Sequence, residues 1–224
     1  TGGSTGRVTG VLIERIEPFD KRRSKVFLEG DFAFLLYGGE IRQYGLEPGM
    51  ILSESRYEEI LALLGKRARE RALYELKSRD RTEQEIRRKL ARDLYPEQAV
   101  EQTVSFLKVY GYVDDVRFAE HYVEIYGRKK SQAELLLNLQ KKGIDRETAK
   151  SAVRKMEEVL DPGATPSAVE TVLQKRKYGL SEEANRKTIA YLQRRGFSWE
   201  EIRRGIENYS QSKTDFIDME SFVE

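Results

Sequence analysis

The sequence of 224 residues contains no cysteine and a single histidine, His121. The missing thiols exclude disulfides, thiolate nucleophiles and cysteine-ligated zinc. A lone histidine without such partners gives no support to a zinc site or to a histidine-based catalytic centre. The sequence also lacks a glycine-rich loop that continues into Gly-Lys-Ser/Thr, and it lacks a nucleophile elbow. These residues therefore predict neither an enzyme nor a bound metal or cofactor.

Long apolar runs are missing as well, and no segment approaches the 18 or so residues of a membrane span or resembles a signal peptide. This pattern predicts a cytoplasmic location without membrane contact. Residues 1–6 are rich in glycine and are interpreted as a leader or tag remnant. With 40 basic and 38 acidic side chains the net charge is only +2, so any surface for nucleic acid depends on local clustering.

The first third of the chain carries β-branched and aromatic runs, at 8–13, 26–28 and 32–36. Gly30 lies between the last two and can supply the positive φ of a tight hairpin. Residues 7–37 are therefore predicted to form a three-stranded meander, followed by a helical turn near 40–44. Ser53 is predicted to cap a helix that runs to about Leu64.

From Gly65 onward the apolar spacing follows a period of 3.6, which predicts helices almost throughout. Capping boxes of the form Ser/Thr-x-x-Glu begin at Thr82, Ser131 and Ser198. Pro96 stands where another helix can begin. Glycines fall where helices should end, at Gly111, Gly143 and Gly196.

These signals repeat along the chain. The segment Leu139–Ile144 matches Leu192–Phe197 at an offset of 53 residues, and Leu90–Tyr95 matches less closely at an offset of 49. The pattern predicts a mainly α fold with three tandem three-helix repeats after a small β-meander and helix extension. Such an array is expected to be elongated and curved, with one long inner surface.

The predicted boundaries follow from these repeats. The extension occupies 7–65, the three repeats occupy 66–113, 114–162 and 163–212, and an acidic tail occupies 213–224. The loosest joint is predicted at 161–166, and the tail is predicted to fray, with Phe216, Ile217 and Phe222 as residues that could dock.

Basic residues cluster on or near the middle helix of each repeat. They are candidates to bind a partner protein or DNA phosphates, against the ordinary interpretation of solvated helix faces: Arg87, Arg88, Lys89, Arg92, Lys129, Lys130, Lys141, Lys142, Arg194, Arg195, Arg203 and Arg204. Acidic residues flank each cluster, and mixed charge fits a protein surface better than non-specific binding to DNA. We therefore expect direct binding of single-stranded or double-stranded DNA to be weak or indirect.

The segment that joins the first two repeats contains Tyr112, Asp114, Asp115 and Phe118. Paired aspartates could bind a divalent metal, as in a metal-dependent nuclease, but a helix cap at Asp114 or Asp115 is the favoured interpretation. Tyr112 and Phe118 are predicted to pack the two repeats together. Trp199 is predicted to pack inside the third repeat. The repeats lack a helix rich in base-reading side chains, which argues against sequence-specific DNA recognition.

Three stretches carry a resemblance to a known family. Gly111–Asp115 with Arg117–Ala119, then Leu139–Ile144, then Leu192–Ser198 resemble, in order and spacing, the three signature stretches of the RecX family. The segment around Val26–Phe34, with Tyr44–Gly49 after it, resembles that family's N-terminal extension.

The resemblance implies a cytoplasmic, monomeric regulator of the RecA recombinase, typically a negative one. It implies binding to RecA–DNA filaments, in the filament groove, with effects on strand exchange, ATP hydrolysis and coprotease activity. The chain departs from the family pattern near Ser131–Gln132, where a glycine is expected, and in its acidic tail. A DNA-binding helical module that acts without a protein partner is the alternative.

Overall fold

The computed structural model describes residues 10–159 and 167–221, with side chains at 10–156 and 167–213. It divides the chain into two compact units, the first ending at Val113 and the second beginning at Asp114. The fold is mainly α, with a small antiparallel sheet near the N-terminus. The predicted leader at 1–6 and the joint at 161–166 lie outside the described residues.

The N-terminal sheet contains the predicted meander and one further strand. Strands β1 (Gly10–Pro18), β2 (Arg23–Leu28) and β3 (Asp31–Tyr37) pair in antiparallel order. The tight turn between β2 and β3 uses positive φ at both Glu29 (48°) and Gly30 (98°), which matches a two-residue hairpin. The described residues thus confirm the predicted hairpin.

The fourth strand was not predicted. Strand β4 (Ile51–Ser53) pairs with the start of β1, which gives the sheet order β3-β2-β1-β4. A segment of three residues is too short to show a two-residue periodicity. Pairing with β1, rather than the sequence of the segment itself, therefore determines that it forms a strand. The short helix α1 (Gly38–Tyr44) precedes β4, as the helical turn at 40–44 predicted.

Helix α2 (Glu54–Leu76) begins at the predicted cap, where the Ser53 hydroxyl accepts a hydrogen bond from the Arg56 amide. The predicted end near Leu64 is wrong, because the helix continues through the buried Gly65 for three more turns. Its first half, with Ile60 and Leu64, packs on the sheet, and its second half packs on other helices. Gly65 lies close to Gln102, whose side chain an added Cβ would meet at 3.3 Å, so close packing explains this helical glycine.

Three groups of three helices follow the sheet. The first bundle combines α2 with α3 (Glu83–Arg92) and α4 (Glu97–Val109). The second bundle contains α5 (Asp115–Tyr126), α6 (Gln132–Lys141) and α7 (Arg146–Val159). The third bundle contains α8 (Ala168–Lys175), α9 (Glu182–Arg194) and α10 (Trp199–Ser221). Each bundle encloses its own cluster of buried apolar side chains.

Helix α10 extends into the segment that was predicted to fray. Its backbone is helical to Ser221, beyond the predicted start of the acidic tail at 213. The proposed docking of Phe216, Ile217 and Phe222 lies outside the described side chains.

Candidate partner-binding surface

The three bundles share one turn between their second and third helices. The amides of Tyr95, Ile144 and Phe197 each donate to the carbonyl five residues earlier, at Leu90, Leu139 and Leu192. The distances are 3.2, 3.1 and 3.2 Å, and all three leucines are fully buried. This six-residue closure is the Schellman helix ending. The segments that match in sequence at offsets of 49 and 53 residues therefore form the same turn in the structure.

That turn fixes which basic residues are equivalent between bundles. Two residues after each buried leucine come Arg92, Lys141 and Arg194, and all three side chains are exposed. Each lies on the last residue of its helix, where a cation also stabilises the carbonyl end of the helix dipole. One exposed cation thus recurs at the same structural position in all three bundles.

The next position is different in each bundle. Asp93 accepts hydrogen bonds from Arg71 and Lys89, both at 2.9 Å. The Lys142 ammonium lies 5.4 Å from the centre of the Phe118 ring, and Arg195 pairs with Glu134 at 3.6 Å. Lys142 and Arg195 are half-buried, so their side chains are less accessible than those of their exposed neighbours.

The remaining cations of α3 do not recur in the other bundles. Arg87 is held between Glu83 and Glu101. The hydrogen bond to Glu101 is the largest cause that raises its pKa above the usual value, the bond to Glu83 adds to this, and burial acts in the opposite direction. Lys89 pairs with Asp93 at 2.9 Å, and Arg88 is exposed. At the offset of 49 residues, the positions of Arg87–Lys89 are occupied by Leu136–Asn138.

The cations near the other helix ends occupy mixed environments. Lys129 is exposed, whereas Lys130 pairs with Glu134, and this hydrogen bond is the largest cause of the lowered pKa of Glu134. On α10, Arg203 and Arg204 are both exposed, and Arg203 lies 3.9 Å from Glu207.

The second and third bundles are joined by a contact that sequence reasoning missed. The buried Ser131 hydroxyl accepts a hydrogen bond from the Glu134 amide and donates one to the Arg195 carbonyl at 3.1 Å. The Gln132 amide donates to the Glu201 carboxylate at 3.1 Å. Ser131 therefore caps α6 and also donates a hydrogen bond to a carbonyl group at the end of α9. These two bonds account for serine at the position where the family pattern suggests glycine. The capping box at Ser131 was visible in the sequence, but the Arg195 carbonyl that accepts the second hydrogen bond lies 64 residues away.

The segment between the first two bundles contains a helix cap. Asp114 is the residue before α5, and its carboxylate accepts a hydrogen bond from the Arg117 amide at 3.0 Å, as predicted. Asp115 lies in the first turn of α5, where a negative charge is favourable. The described residues contain no group of three or more His, Asp or Glu side chains that could hold a metal ion.

The aromatic residues of this segment pack within their own units. Tyr112 stacks on Phe106 with ring centroids 6.4 Å apart, and Phe118 stacks on Tyr122 at the same distance. The predicted contact between the two repeats through Tyr112 and Phe118 stays a prediction.

The prediction for Trp199 is wrong. Its side chain is 60% exposed at the start of α10, outside the apolar cluster of the third bundle. Position 199 follows the Ser198 cap directly, and the first turn of a helix can point a side chain away from the bundle. His121 is also exposed, on α5.

Comparison with known proteins agrees with this repeated architecture. The model of the first three-helix domain of RecX matches residues 68–107, and that of the third matches residues 168–206. A "Regulatory protein RecX" from Mycobacterium ulcerans is 32% identical over 136 residues, covering 58% of this chain and 78% of that protein. The chain belongs to the RecX family.

Other RecX proteins match over a larger part of the chain. The regulatory protein RecX of Clostridium acetobutylicum is 28% identical over 198 residues, or 85% of this chain and 92% of that protein. The crystal structure of a regulatory protein RecX aligns with a TM-score of 0.56 at 26% identity, covering 86% of this chain and 98% of the other. The crystal structure of RecX from Lactobacillus salivarius aligns with a TM-score of 0.58 at 24% identity, which supports the fold. Among the described helices, none is long and apolar enough to cross a membrane.

Proposed function

We propose that this chain is a cytoplasmic regulator of a RecA recombinase, and that it binds RecA filaments assembled on DNA. Membership of the RecX family supports a regulatory role. The observation that carries the proposal is the exposed cation repeated at one turn of each bundle, at Arg92, Lys141 and Arg194. A filament presents the same surface at regular intervals, and a chain of repeats can meet it with equivalent residues.

In this proposal the three turn cations contact acidic side chains of successive recombinase subunits or phosphates of the enclosed DNA. The near-neutral net charge of +2 makes a purely electrostatic DNA binder a poorer interpretation. Arg87, Lys89 and Lys130 are held in closer ion pairs than Arg195 and Arg203, so we assign these three residues to local stability rather than to the partner. Arg88, Lys129, Lys142, Arg195, Arg203 and Arg204 would then extend the surface around the turns. Binding in the filament groove would lower strand exchange, ATP hydrolysis and coprotease activity.

The test is co-sedimentation with RecA assembled on single-stranded DNA, beside bare DNA in the same buffer. The variant carries Arg92→Glu, Lys141→Glu and Arg194→Glu together. The matched control carries Lys66→Glu, Arg154→Glu and Lys175→Glu, which make the same change of charge at exposed positions on other helices. We expect the first variant to lose at least tenfold in filament affinity and in inhibition of ATP hydrolysis, while the control keeps both. Equal losses in the two variants would contradict the assignment of the turn cations.

The alternative, a DNA-binding module without a protein partner, predicts a different result. Affinity for bare DNA would match that for the filament and would fall by roughly a thousandfold or more between about 50 and 200 mM salt. A clear preference for the filament that survives in 200 mM salt would exclude this alternative.

A further inference from the structure

The first unit contains a cleft beside the turn that carries Arg92. Its volume is about 280 Å³, just below the range of roughly 300 to 1,000 Å³ that is typical of small-molecule sites. Strands β2 and β3, helix α2 and the turn between α3 and α4 enclose it. Three arginines, two tyrosines, three leucines and one aspartate line the cleft: Arg23, Leu35, Tyr37, Leu64, Arg67, Arg71, Asp93, Leu94 and Tyr95.

The lining is positively charged. Three guanidinium groups, Arg23, Arg67 and Arg71, line the cleft with one carboxylate, Asp93, so the lining by itself has a net charge of 3 − 1 = +2 before the carboxylates outside it are counted. Their side chains are 35%, 25% and 33% exposed, which leaves them partly shielded from water. An anion bound among them is therefore screened less than at an open surface.

Carboxylates outside the lining help to hold these guanidinium groups in place. Asp20 pairs with Arg23 at 2.6 Å, Glu40 pairs with Arg67, and Glu75 pairs with Arg71 at 2.9 Å. A planar guanidinium fixed in this way can still offer its other N–H groups to a second oxyanion. The arginines are thus oriented before a ligand arrives, which lowers the entropic cost of binding.

The rest of the lining is aromatic and apolar. The Arg67 guanidinium lies 4.8 Å from the centre of the Tyr37 ring. Burial raises the pKa of the Tyr95 hydroxyl, so this group stays protonated at neutral pH and can donate a hydrogen bond. Leu35 and Leu64 are almost fully buried. These side chains suit a ligand with a flat ring next to its charge.

Leu94 supplies a second, independent observation. Its φ is +65°, in the left-handed region, whereas the equivalent turns of the other bundles have Gly143 and Gly196 at positive φ. A non-glycine residue there is strained, because its Cβ lies too close to the following carbonyl oxygen. The leucine side chain forms part of the cleft wall, and strain of this kind gathers at binding sites.

We propose that this cleft binds one nucleotide, with its phosphate between Arg67 and Arg71 and its ring system against the tyrosines and leucines. The source is either a free nucleotide or the phosphorylated 5′ end of a nucleic-acid strand. An acidic peptide is less suitable, because carboxylate side chains bring no ring for the apolar part of the lining. The cleft shares the turn between α3 and α4 with the proposed filament contact Arg92, but Arg92 does not line it, and its test needs no recombinase.

The test is isothermal titration calorimetry on the full chain with dAMP, deoxyadenosine, inorganic phosphate and a poly-glutamate peptide. Two oligonucleotides of one sequence, with a 5′-phosphate or a 5′-hydroxyl, distinguish the sources. We expect dAMP to bind at least tenfold more tightly than deoxyadenosine or phosphate. Stronger binding of the 5′-phosphorylated strand than of dAMP would assign the site to strand ends, and the reverse would assign it to free nucleotide. The proposal fails if neither dAMP nor the phosphorylated strand binds, or if phosphate or poly-glutamate binds as tightly as dAMP.

Variants locate the binding. Arg67→Gln and Arg71→Gln should each weaken dAMP binding at least tenfold, and the exposed neighbour Lys66→Gln, with the same change of charge on the same helix, should not. Leu94→Gly removes a side chain from the cleft wall and relieves the backbone strain at this position. The variant should therefore fold, and it should bind dAMP at least fivefold more weakly. Unchanged binding in a folded Leu94→Gly protein, or an equal loss in Lys66→Gln, would overturn the assignment.

Discussion

The turn between α3 and α4 has the same hydrogen bonds as the turns between α6 and α7 and between α9 and α10, but different residues occupy it. Glycine takes the left-handed position in the second and third bundles, and Leu94 takes it in the first. At Gly196 an added Cβ would lie 3.2 Å from the Ser131 hydroxyl, so the approach of another bundle leaves no room for a side chain. At Leu94 the side chain instead lines a cleft of the first unit. The surroundings of a repeated turn therefore decide its residues as much as the turn itself.

The position before this residue shows the same divergence. Asp93 binds two cations of its own unit, whereas Lys142 lies over Phe118 and Arg195 pairs with Glu134. The repeated features are the buried leucine and the exposed cation two residues later. Five changes, from the largest expected effect to the smallest, test how far the three turns are equivalent.

Replacing the buried leucine should have the largest effect. Leu90→Ala and Leu139→Ala each leave a cavity at a fully buried site, and each should lower the free energy of unfolding by about 2 to 5 kcal/mol. Denaturant unfolding measures the loss, and hydrogen exchange shows which unit is affected. A cost below about 1 kcal/mol at either position would break the equivalence of the two turns.

The contact between the second and third bundles gives the next effect. Ser131→Ala removes a helix cap and the hydrogen bond to the Arg195 carbonyl, and should cost about 2 kcal/mol. Ser198→Ala is the matched control, because Ser198 caps α10 from an exposed position, and it should cost about 1 kcal/mol. Thermal unfolding of both variants compares them, and an equal cost would mean that the Arg195 contact adds nothing.

Exchange at the left-handed position tests the turn itself. Gly143→Ala places a Cβ at a φ of 93° and should destabilise the second unit by about 1 to 2 kcal/mol. Leu94→Gly should change stability by less than about 1 kcal/mol, because relief of the backbone offsets the lost side-chain packing and the extra freedom of the unfolded glycine. A large loss in Leu94→Gly, measured by denaturant unfolding, would show that packing outweighs backbone strain there.

Acid should weaken the first turn through the carboxylate of Asp93. Burial raises the pKa of Asp93, but hydrogen bonds from Lys89 and Arg71 outweigh it, so the pKa lies below its usual value of 3.8. The stabilisation is therefore fully present above pH 3.8 and is lost as the pH falls through the lower folded-state value. Lysine and arginine at the equivalent positions keep their charge in acid.

The Asp93→Asn variant should accordingly remove part of this dependence. The partly exposed site limits the effect to less than about 1 kcal/mol. Unfolding followed between pH 5 and pH 2 measures it, with the parent chain alongside. An identical pH profile for the two proteins would contradict a lowered pKa at Asp93.

The exposed turn cations should have the smallest effect on stability. Arg92→Gln, Lys141→Gln and Arg194→Gln each change an exposed side chain and should shift the free energy of unfolding by less than about 0.5 kcal/mol. Thermal unfolding checks this, and it also shows that losses of filament binding in the glutamate variants do not come from unfolding. A loss above about 1 kcal/mol would give these residues a structural role.

Local signals in the sequence predicted most of the elements that the structure describes. Ser53, Thr82 and Asp114 cap helices as expected, because a cap depends on residues within one turn. The predicted end of α2 was wrong. A glycine such as Gly65 weakens an isolated helix, but here it is accommodated where α4 packs against it. The short strand β4 and the exposed Trp199 were missed, because pairing and orientation depend on neighbours distant in sequence.

Apolar periodicity, capping residues and glycine positions determined by themselves that this chain forms a small N-terminal sheet and successive helical bundles, since these signals act over a few residues. The tertiary structure decided which cations occupy equivalent exposed positions, which ones are held in ion pairs, and that Ser131 caps one helix while closing another. It also decided that Arg23, Arg67 and Arg71 line one cleft with Leu94. These arginines lie 23 to 71 positions before Leu94 along the chain, and folding alone brings them beside it, because burial of apolar surface fixes the strands and helices that carry them.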